Sequence, residues 1–235
     1  MRRLSIAVLF AAVVFVAGCG GGGGSAGGGA STQTSSLATK PPGVVVAAAS
    51  KAAESASSVH MSGAGNQAGK PISLDLTFVR GKGATGTISL NGAKFDLILI
   101  GDTAYIRAGP TFWKKYAGPT GVAQLLNNKW LKFSANNAQL GPLTKLANQQ
   151  SFFALLKTHG KLENKGDTTF KGQSVVAIND TTQGGTLYVA SSGTPYPVGI
   201  AQGGSSSGTI TFDNWNQPVT LTAPKGALDF SQLTG

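Results

Sequence analysis

Cysteine, histidine and acidic side chains are scarce in this chain. Its 235 residues include one cysteine, two histidines and nine aspartates or glutamates. A single cysteine cannot form an internal disulfide, so the folded state must depend on an apolar core. The histidines, His60 and His159, lie in separate segments, and neither belongs to a His/Cys/Asp cluster with the spacing of metal ligands. We therefore expect no metal and no cofactor.

Signatures of catalysis are missing as well. No Gly-x-Ser-x-Gly sequence is predicted to form the sharp turn between a strand and a helix that exposes a nucleophilic serine. The glycine run at residues 20–24 is not a phosphate-binding loop, because no strand precedes it and no Gly-Lys-Ser/Thr follows it. The few acidic residues mostly alternate with apolar ones, as on the solvated face of a sheet. We predict that the protein is not an enzyme.

A long apolar run is also lacking, although a short one lies near the start of the chain. Residues 4–17 are apolar except for Ser5, and they follow Arg2 and Arg3. This run is shorter than the roughly 20 apolar residues that cross a bilayer as a helix. It therefore favours a signal peptide over a permanent anchor, with residues 1–18 as the peptide that is removed.

Cys19 follows in the run Val16-Ala17-Gly18-Cys19, which resembles the lipobox of bacterial lipoproteins. That resemblance implies that the Cys19 thiol takes a diacylglycerol and becomes the first residue of an exported protein, lipid-anchored to the outer face of the cell membrane. The alternative, a structural or redox cysteine, has nothing to pack against among glycines. Arg2-Arg3 could belong to a twin-arginine signal, but the next three residues support it weakly, and we favour the general export route.

The chain is basic, with a formal net charge of +10, which falls to +8 without Arg2 and Arg3. An exported basic protein can meet anionic lipid head groups or anionic wall polymers. Nucleic acid is not an expected partner in that compartment. Solvation of a half-polar sheet is the plainer explanation of the charge.

The composition of residues 19–42 predicts a flexible tether. They are rich in glycine, serine, threonine and alanine and cannot bury enough apolar surface to fold. At about 5–6 Å × √n, some 20 such residues reach roughly 25 Å. The single folded domain is predicted to occupy residues 43–235.

Alternating apolar residues over 71–108 predict a four-stranded antiparallel meander. Turns at Gly81-Lys82-Gly83, Asn91-Gly92 and Gly101-Asp102 join the strands. Because a one-residue slip would exchange the two faces of a strand, three consistent turns define one apolar face. The predicted pairs are Phe78–Gly86, Leu76–Ile88 and Leu74–Leu90, then Leu90–Ala93, Ile88–Phe95 and Gly86–Leu97, then Leu99–Ala104, Leu97–Ile106 and Asp96–Arg107.

Other patterns place this meander in a larger sheet. An alanine-rich helix is predicted at 44–58, and short helices at 110–116, 122–127, 142–147 and 150–158, with a strand at 129–133 between them. Further strands are predicted at 170–180, 185–191, 198–202, 208–213 and 218–222. The order helix, meander, helical insert, meander predicts a long antiparallel sheet of about nine strands, covered by few helices.

Three stretches carry a family resemblance: GTLYV at 185–189, GTPYPV at 193–198 and TITFDNWNQPVTLTAP at 209–224. Together with the lipobox, the small-residue helix, DTAYI at 102–106 and KW at 129–130, their order resembles the LppX/LprG-type lipoproteins of actinobacteria over about residues 44–230. The resemblance implies an α+β fold similar to LolA, a strongly curved antiparallel half-barrel closed by a few α-helices over an apolar cavity. It also implies binding of lipid or acylated glycolipid and its transfer toward the outer envelope. The middle segment does not align residue by residue, so no portal residue is carried over.

The apolar face of the sheet offers the walls that such a cavity needs. Taken alone, an apolar face is usually ordinary core. Here the first helix is alanine-rich, and the sheet offers more apolar surface than short helices fill. Each buried CH₂ contributes about 0.8 kcal/mol, so a chain of about 16 carbons contributes on the order of 10 kcal/mol before ordering costs. The candidate lining residues are Leu74, Leu76, Phe78, Ile88, Leu90, Phe95, Leu97, Leu99, Ile106, Phe152, Phe153 and Leu156.

The run Phe112-Trp113-Lys114-Lys115 is a candidate for membrane contact. Aromatic rings sit at head-group depth and lysines meet lipid phosphate, so this composition suits an interface. The alternative is a surface helix that buries Phe112 and Trp113 in the core.

Two functions remain open from the sequence. The first is a lipid carrier whose partners are a lipid or glycolipid ligand, the membrane through the diacylglyceryl Cys19, and an envelope transporter, and which acts as a monomer. The second is a cavity-free envelope adaptor or sensor that binds a protein partner through the curved sheet. They differ in whether the space between sheet and helices is open to a ligand.

Overall fold

The computed structural model describes residues 36–116, 120–157, 159–204 and 207–233. The predicted signal peptide, Cys19 and the glycine-rich part of the tether lie outside these residues. The described helices are α1 (Pro42–Ser55), α2 (Pro110–Tyr116), α3 (Thr120–Leu125), α4 (Gly141–Thr144) and α5 (Gln149–Ala154). The described strands are β1 (Ser58–Gln67), β2 (Lys70–Val79), β3 (Gly83–Leu90), β4 (Ala93–Ile100), β5 (Thr103–Ala108), β6 (Trp130–Ser134), β7 (Leu162–Phe170), β8 (Gln173–Asp180), β9 (Thr186–Ala190), β10 (Pro197–Gln202), β11 (Gly208–Asp213) and β12 (Leu228–Asp229).

The strands form one sheet in the order β12-β6-β5-β4-β3-β2-β1-β11-β10-β9-β8-β7. Neighbouring strands are antiparallel except β12, which runs parallel to β6. Strand β1 pairs with both β2 and β11, and it thereby joins the two predicted meanders into one sheet. The result is a large curved antiparallel sheet that does not close, with β7 and β12 at its edges.

Two of the three predicted hairpin registers are confirmed. Leu90 lies opposite Ala93, and Leu99 lies opposite Ala104. The β2–β3 register is wrong by two residues, because Leu76 pairs with Gly86 and not with Ile88. Gly83 already belongs to β3, where a Cβ would lie 1.8 Å from the carbonyl oxygen of Leu99. A shift of two residues leaves every side chain on its predicted face, so the apolar face is as predicted.

Several element predictions need correction. Strands β1 and β7 were not predicted, since β1 is rich in small and polar residues and β7 carries charged residues with little apolar alternation. The predicted strand at 170–180 begins only at Gln173, after a turn at Lys171-Gly172 with positive φ at both residues. Residues 218–222 have no strand pairing, although a strand was predicted there. The predicted helices at 142–147 and 150–158 are shorter than expected and continue as 3-10 turns.

Glycines allow adjacent strands to approach closely in the middle of the sheet. A Cβ on Gly63 of β1 would lie 2.4 Å from the carbonyl oxygen of Thr209 in β11. A Cβ on Gly86 of β3 would lie 2.0 Å from the carbonyl oxygen of Asp75 in β2. Glycine in a strand marks such an approach or a bend, and these positions favour the curvature of the sheet.

Helices cover one face of the sheet in two groups. Helix α1 buries Val45, Val46 and Ala49 against β8 and β9. The helices and turns within residues 110–128 and 135–157, which we call the insert, cover the apolar face of β1–β6. The core therefore contains two clusters of buried residues, one between the sheet and the insert and one between the sheet and α1.

The folded body begins earlier than the predicted domain start at residue 43. A 3-10 turn, Leu37–Thr39, lies beside β7. The side-chain amide of Asn164 donates hydrogen bonds to the carbonyl oxygens of Leu37 and Lys40, at 3.1 and 2.9 Å. These bonds attach the last part of the predicted tether to the edge of the sheet.

Residues 214–227, which we call the strap, connect β11 to β12 at the far edge. The side-chain oxygen of Asn216 accepts a hydrogen bond from the Ser57 amide at 2.8 Å. The Trp215 ring stacks on Tyr196 with centroids 4.5 Å apart. Further on, residues 219–221 lie beside the β2–β3 and β4–β5 turns. The strap thus crosses the turn end of these hairpins.

Candidate functional site

The structure brings all twelve predicted lining residues into one apolar cluster between sheet and insert. Leu74, Leu90 and Phe152 are partly exposed. The other nine are buried: Leu76, Phe78, Ile88, Phe95, Leu97, Leu99, Ile106, Phe153 and Leu156. Their side chains pack on one another and on the insert, and their contact with lipid stays a prediction.

Aromatic rings of α5 join the insert to the sheet. The Phe152 ring centroid lies 5.6 Å from that of Phe212 in β11 and 6.4 Å from that of Phe78 in β2. The Phe153 ring lies 6.0 Å from both Phe212 and Trp215. Because α5 has only six residues, these ring contacts and not its own backbone hold it in place.

The prediction that Phe112 and Trp113 contact a membrane is wrong for this structure, because both rings are buried. The Phe112 ring packs 4.8 Å from Phe95, and Trp113 Nε1 donates a hydrogen bond to the Ala108 carbonyl oxygen at 3.0 Å. Lys114 and Lys115 of the same helix are exposed, and their membrane contact stays a prediction. None of the described helices has the length and apolarity to span a membrane.

One end of the apolar face is less completely covered than the rest. Leu74, Leu187, Ile200 and Ile210 are partly exposed, and we call these four residues the apolar strip. Strand pairing aligns them across β9, β10, β11 and β2, with Gly63 of β1 between Ile210 and Leu74. The insert leaves this strip partly uncovered.

A cleft of about 640 Å³ opens at the other end of β2, between the sheet and the insert. Val79 and Leu99 line it from the sheet, and Ala147 and Phe153 line it from the insert. Its volume falls in the range of roughly 300–1,000 Å³ typical of small-molecule sites. The cleft therefore reaches two of the predicted lining residues, Leu99 and Phe153.

Charged groups surround the mouth of this cleft. Lys157 pairs with Glu54 of α1 at 2.5 Å. Arg80 and Lys82, on the β2–β3 turn, have no carboxylate oxygen within 4 Å among the described residues. Asp102 lines the cleft from the β4–β5 turn. Sequence reasoning missed this site, and the one signal that could have indicated it is the basic turn Arg80-Gly81-Lys82.

Gln149, at the start of α5, adds an unusual polar atom to the cleft wall. Its side-chain oxygen is buried and accepts no hydrogen bond within the described part of the chain. A buried acceptor without a donor costs free energy. A ligand hydroxyl or N–H group that reached this oxygen would remove that cost.

His60 lies on the outer face of the sheet, away from the insert. Its Nδ1 is 2.7 Å from Asp213 Oδ1, and its Nε2 is 3.1 Å from Asp75 Oδ1. Partial burial lowers the pKa of His60, but hydrogen bonds to Asp75 and Asp213 and their negative charges outweigh it and raise the pKa above its ordinary value. Across the described ranges, no group of three or more His, Cys, Asp or Glu side chains is placed to hold a metal ion. The three residues instead link β11, β1 and β2.

Comparisons with known proteins identify the fold. No protein-family profile and no curated protein sequence matches this chain. The structure is similar to that of LprF from Mycobacterium bovis, with a TM-score of 0.56 and 15% identity over 79% of this chain and 97% of that chain. The Mycobacterium tuberculosis lipoprotein LppX aligns with a TM-score of 0.46 and 18% identity over 77% of this chain and 99% of that chain. The likeness to LprF confirms the predicted LolA-like fold, a curved open sheet with few helices.

Proposed function

We propose that this protein is an exported lipoprotein of the LppX/LprG type, anchored through a diacylglyceryl Cys19. It binds a lipid or acylated glycolipid between its curved sheet and its insert and carries it from the membrane toward the outer envelope. It acts as a monomer and exchanges its cargo with an envelope transporter. The observation that carries the proposal is the apolar cluster between sheet and insert in which all twelve predicted lining residues meet.

The insert is a cover that can be displaced. Its helices are four to seven residues long, and α4 and α5 continue as 3-10 turns. Helices this short are marginal on their own, so the insert depends on burying its apolar side chains against the sheet. An acyl chain offers the sheet the same kind of contact, at about 0.8 kcal/mol per CH₂. A bound lipid can therefore replace part of the insert at small net cost.

Native mass spectrometry of residues 20–235, produced in a bacterial host without the lipobox, tests the proposal. We expect about one co-purified lipid per chain, whose class organic extraction identifies. Leu74→Glu places a charge on the apolar strip and should lower lipid occupancy about tenfold, because a buried charge against acyl carbon is strongly unfavourable. Ser73→Glu is the matched control, since the adjacent position lies on the opposite face of β2.

Circular dichroism of both variants separates loss of lipid from loss of fold. If Leu74→Glu unfolds, Leu74→Asn makes a milder polar change at the same place, and it should still bind less lipid than Ser73→Asn. A wild-type chain that is free of lipid and takes up neither phospholipid nor glycolipid contradicts the carrier.

One observation favours the second candidate function, a cavity-free adaptor or sensor. Nine of the lining residues are already buried by neighbouring side chains, so the described interior is well filled. An adaptor of this kind would bind a protein partner through the curved sheet. Native mass spectrometry would then give the mass of the chain without lipid.

A further inference from the structure

The β2–β3 turn holds two cationic side chains at the mouth of the cleft. The Arg80 amide donates a hydrogen bond to the Ser57 carbonyl oxygen at 2.9 Å, and the Lys82 amide donates one to the Val79 carbonyl oxygen at 3.0 Å. The Gly101 amide of the next hairpin donates to the Lys82 carbonyl oxygen at 2.9 Å. The backbone that carries Arg80 and Lys82 is therefore fixed on both sides.

The charges that line the cleft favour an anion next to this turn. Lys157 and Glu54 neutralise each other. Arg80 and Lys82 then face a single remaining carboxylate, Asp102, and neither cation has an ion-pair partner among the described residues. Arginine and lysine are the side chains that bind phosphate groups.

Two acceptor groups in the same cleft favour a ligand that also carries hydrogen-bond donors. The buried side-chain oxygen of Gln149 has no donor in the described structure. The Asp102 carboxylate also lines the cleft and can accept hydrogen bonds from hydroxyl groups. A phosphate beside a hydroxylated group would satisfy both the cations and the acceptors.

The wall of the cleft continues into the apolar interior. Val79 and Leu99 follow the charged turns on the sheet side, and Phe153 follows Gln149 on the insert side. Leu99 and Phe153 belong to the apolar cluster of the core. A ligand with a polar head and an apolar chain matches this change from charged rim to apolar wall.

We infer that this cleft is the head-group site for an anionic lipid with a hydroxylated phosphate head group. Arg80 and Lys82 bind the phosphate, Gln149 accepts a hydrogen bond from a hydroxyl, and the acyl chain passes Leu99 and Phe153 into the interior. The inference rests on the proposed function and specifies its ligand class.

Competition between lipids of identical acyl chains tests this site on delipidated residues 20–235. We expect phosphatidylglycerol to bind at least about fivefold more tightly than phosphatidylcholine at low salt, with the difference shrinking as salt screens the charges. The double variant Arg80→Gln/Lys82→Gln should lose this preference, because its cleft no longer favours a lipid with a net negative charge. Lys70→Gln/Lys94→Gln removes the same charge from exposed positions outside the cleft and should keep the preference.

A second variant tests the hydroxyl contact separately. Gln149→Leu should weaken phosphatidylglycerol binding at least threefold and leave phosphatidic acid, whose head group lacks the glycerol, unchanged. This variant also removes the buried acceptor, so it should not destabilise the fold. Equal losses for the two lipids would overturn the role of Gln149.

The outcomes distinguish the head-group site from the carrier function. Equal binding of phosphatidylglycerol and phosphatidylcholine by the wild type overturns the head-group site and leaves the carrier intact. Equal loss of the preference in both double variants shows a general charge effect and also overturns the site. Binding of inorganic phosphate to the wild type and not to Arg80→Gln/Lys82→Gln, together with equal binding of the two lipids, would assign the cleft to free phosphate and overturn the head-group site. A wild type that binds no lipid overturns the carrier and the site together.

Discussion

His60 is the residue at which the structure connects stability to pH. It lies on β1, and its ring nitrogens face Asp213 of β11 and Asp75 of β2. The folded-state pKa of His60 is raised because the favourable contacts with these two carboxylates outweigh its partial burial. A raised pKa means that the folded state binds the proton more tightly than the unfolded state does. The stabilisation is therefore complete below the unfolded pKa of about 6.5, and it is lost as pH rises through the folded pKa.

Thermal unfolding of the wild type and of His60→Gln between pH 5.5 and 8.5 measures this contribution. At pH 5.5 we expect the wild type to unfold at a higher temperature than His60→Gln does. This difference between the two unfolding temperatures should shrink as pH rises. His159→Gln serves as the control, because His159 is exposed and its ring lies 3.0 Å from the neighbouring Gly160 carbonyl oxygen and not between two carboxylates. A difference between wild type and His60→Gln that does not change with pH would contradict the assignment.

Other single residues show where residue type misleads. Phe112 and Trp113 beside two lysines have the composition of a membrane-contact sequence, yet both rings are buried. Composition cannot show which side of a short helix meets the sheet. The side that meets the sheet depends on the direction in which α2 follows β5. The hydrogen bond from Trp113 Nε1 to the Ala108 carbonyl oxygen fixes that direction.

Among the elements, the insert is the least autonomous. It is held by side chains such as Phe152 and Phe153, and its helices have little internal stability. Local opening is expected where helices are short and are held mainly by tertiary contacts. The central strands β3–β5 have paired neighbours on both sides.

Hydrogen exchange followed by mass spectrometry should show this difference directly. We expect amides of α4 and α5 to exchange at least about tenfold faster than those of β3–β5, and to exchange faster still when bound lipid displaces part of the insert. Helix α1, which is 14 residues long, is the internal control and should stay protected in both states. Equal protection of α5 and β4 without lipid would contradict a displaceable cover.

Strands were predicted best where side chains alternate strictly. The meander β2–β5 has that alternation and was found with its faces correct, although one hairpin register was wrong by two residues. Strand β1 was missed because its glycines serve close approach of β11 and leave no apolar period. The signal for β1 lies in its partners and not in its own sequence.

For the whole molecule, the proposed anchor lies outside the described residues and needs its own test. We expect a clickable fatty acid to label the wild-type full-length protein, because the lipobox resemblance places the acyl chains on Cys19. Cys19→Ser should abolish the label, since the serine hydroxyl cannot form the thioether. Ser25→Ala, in the same glycine-rich stretch, should leave the label unchanged. Labelling that persists in Cys19→Ser would contradict lipidation at this residue.

The sequence by itself determined the features that depend on residues close to one another along the chain. Period-two alternation defined the apolar face, turn residues located most hairpins, and the small residues before Cys19 predicted export and lipidation. The nine lining candidates on strands could be chosen on this basis, because side-chain direction in a strand follows from position alone.

Only the tertiary structure decided how distant segments meet. It joined β1 to β11, filled the interior with the insert, and built one cleft from residues as far apart as Glu54, Arg80 and Lys157. Such contacts depend on the packing of short helices and on the path of the chain across the sheet. Local periodicity carries no information about either, so the cleft and its unpaired cations could be found only in the folded molecule.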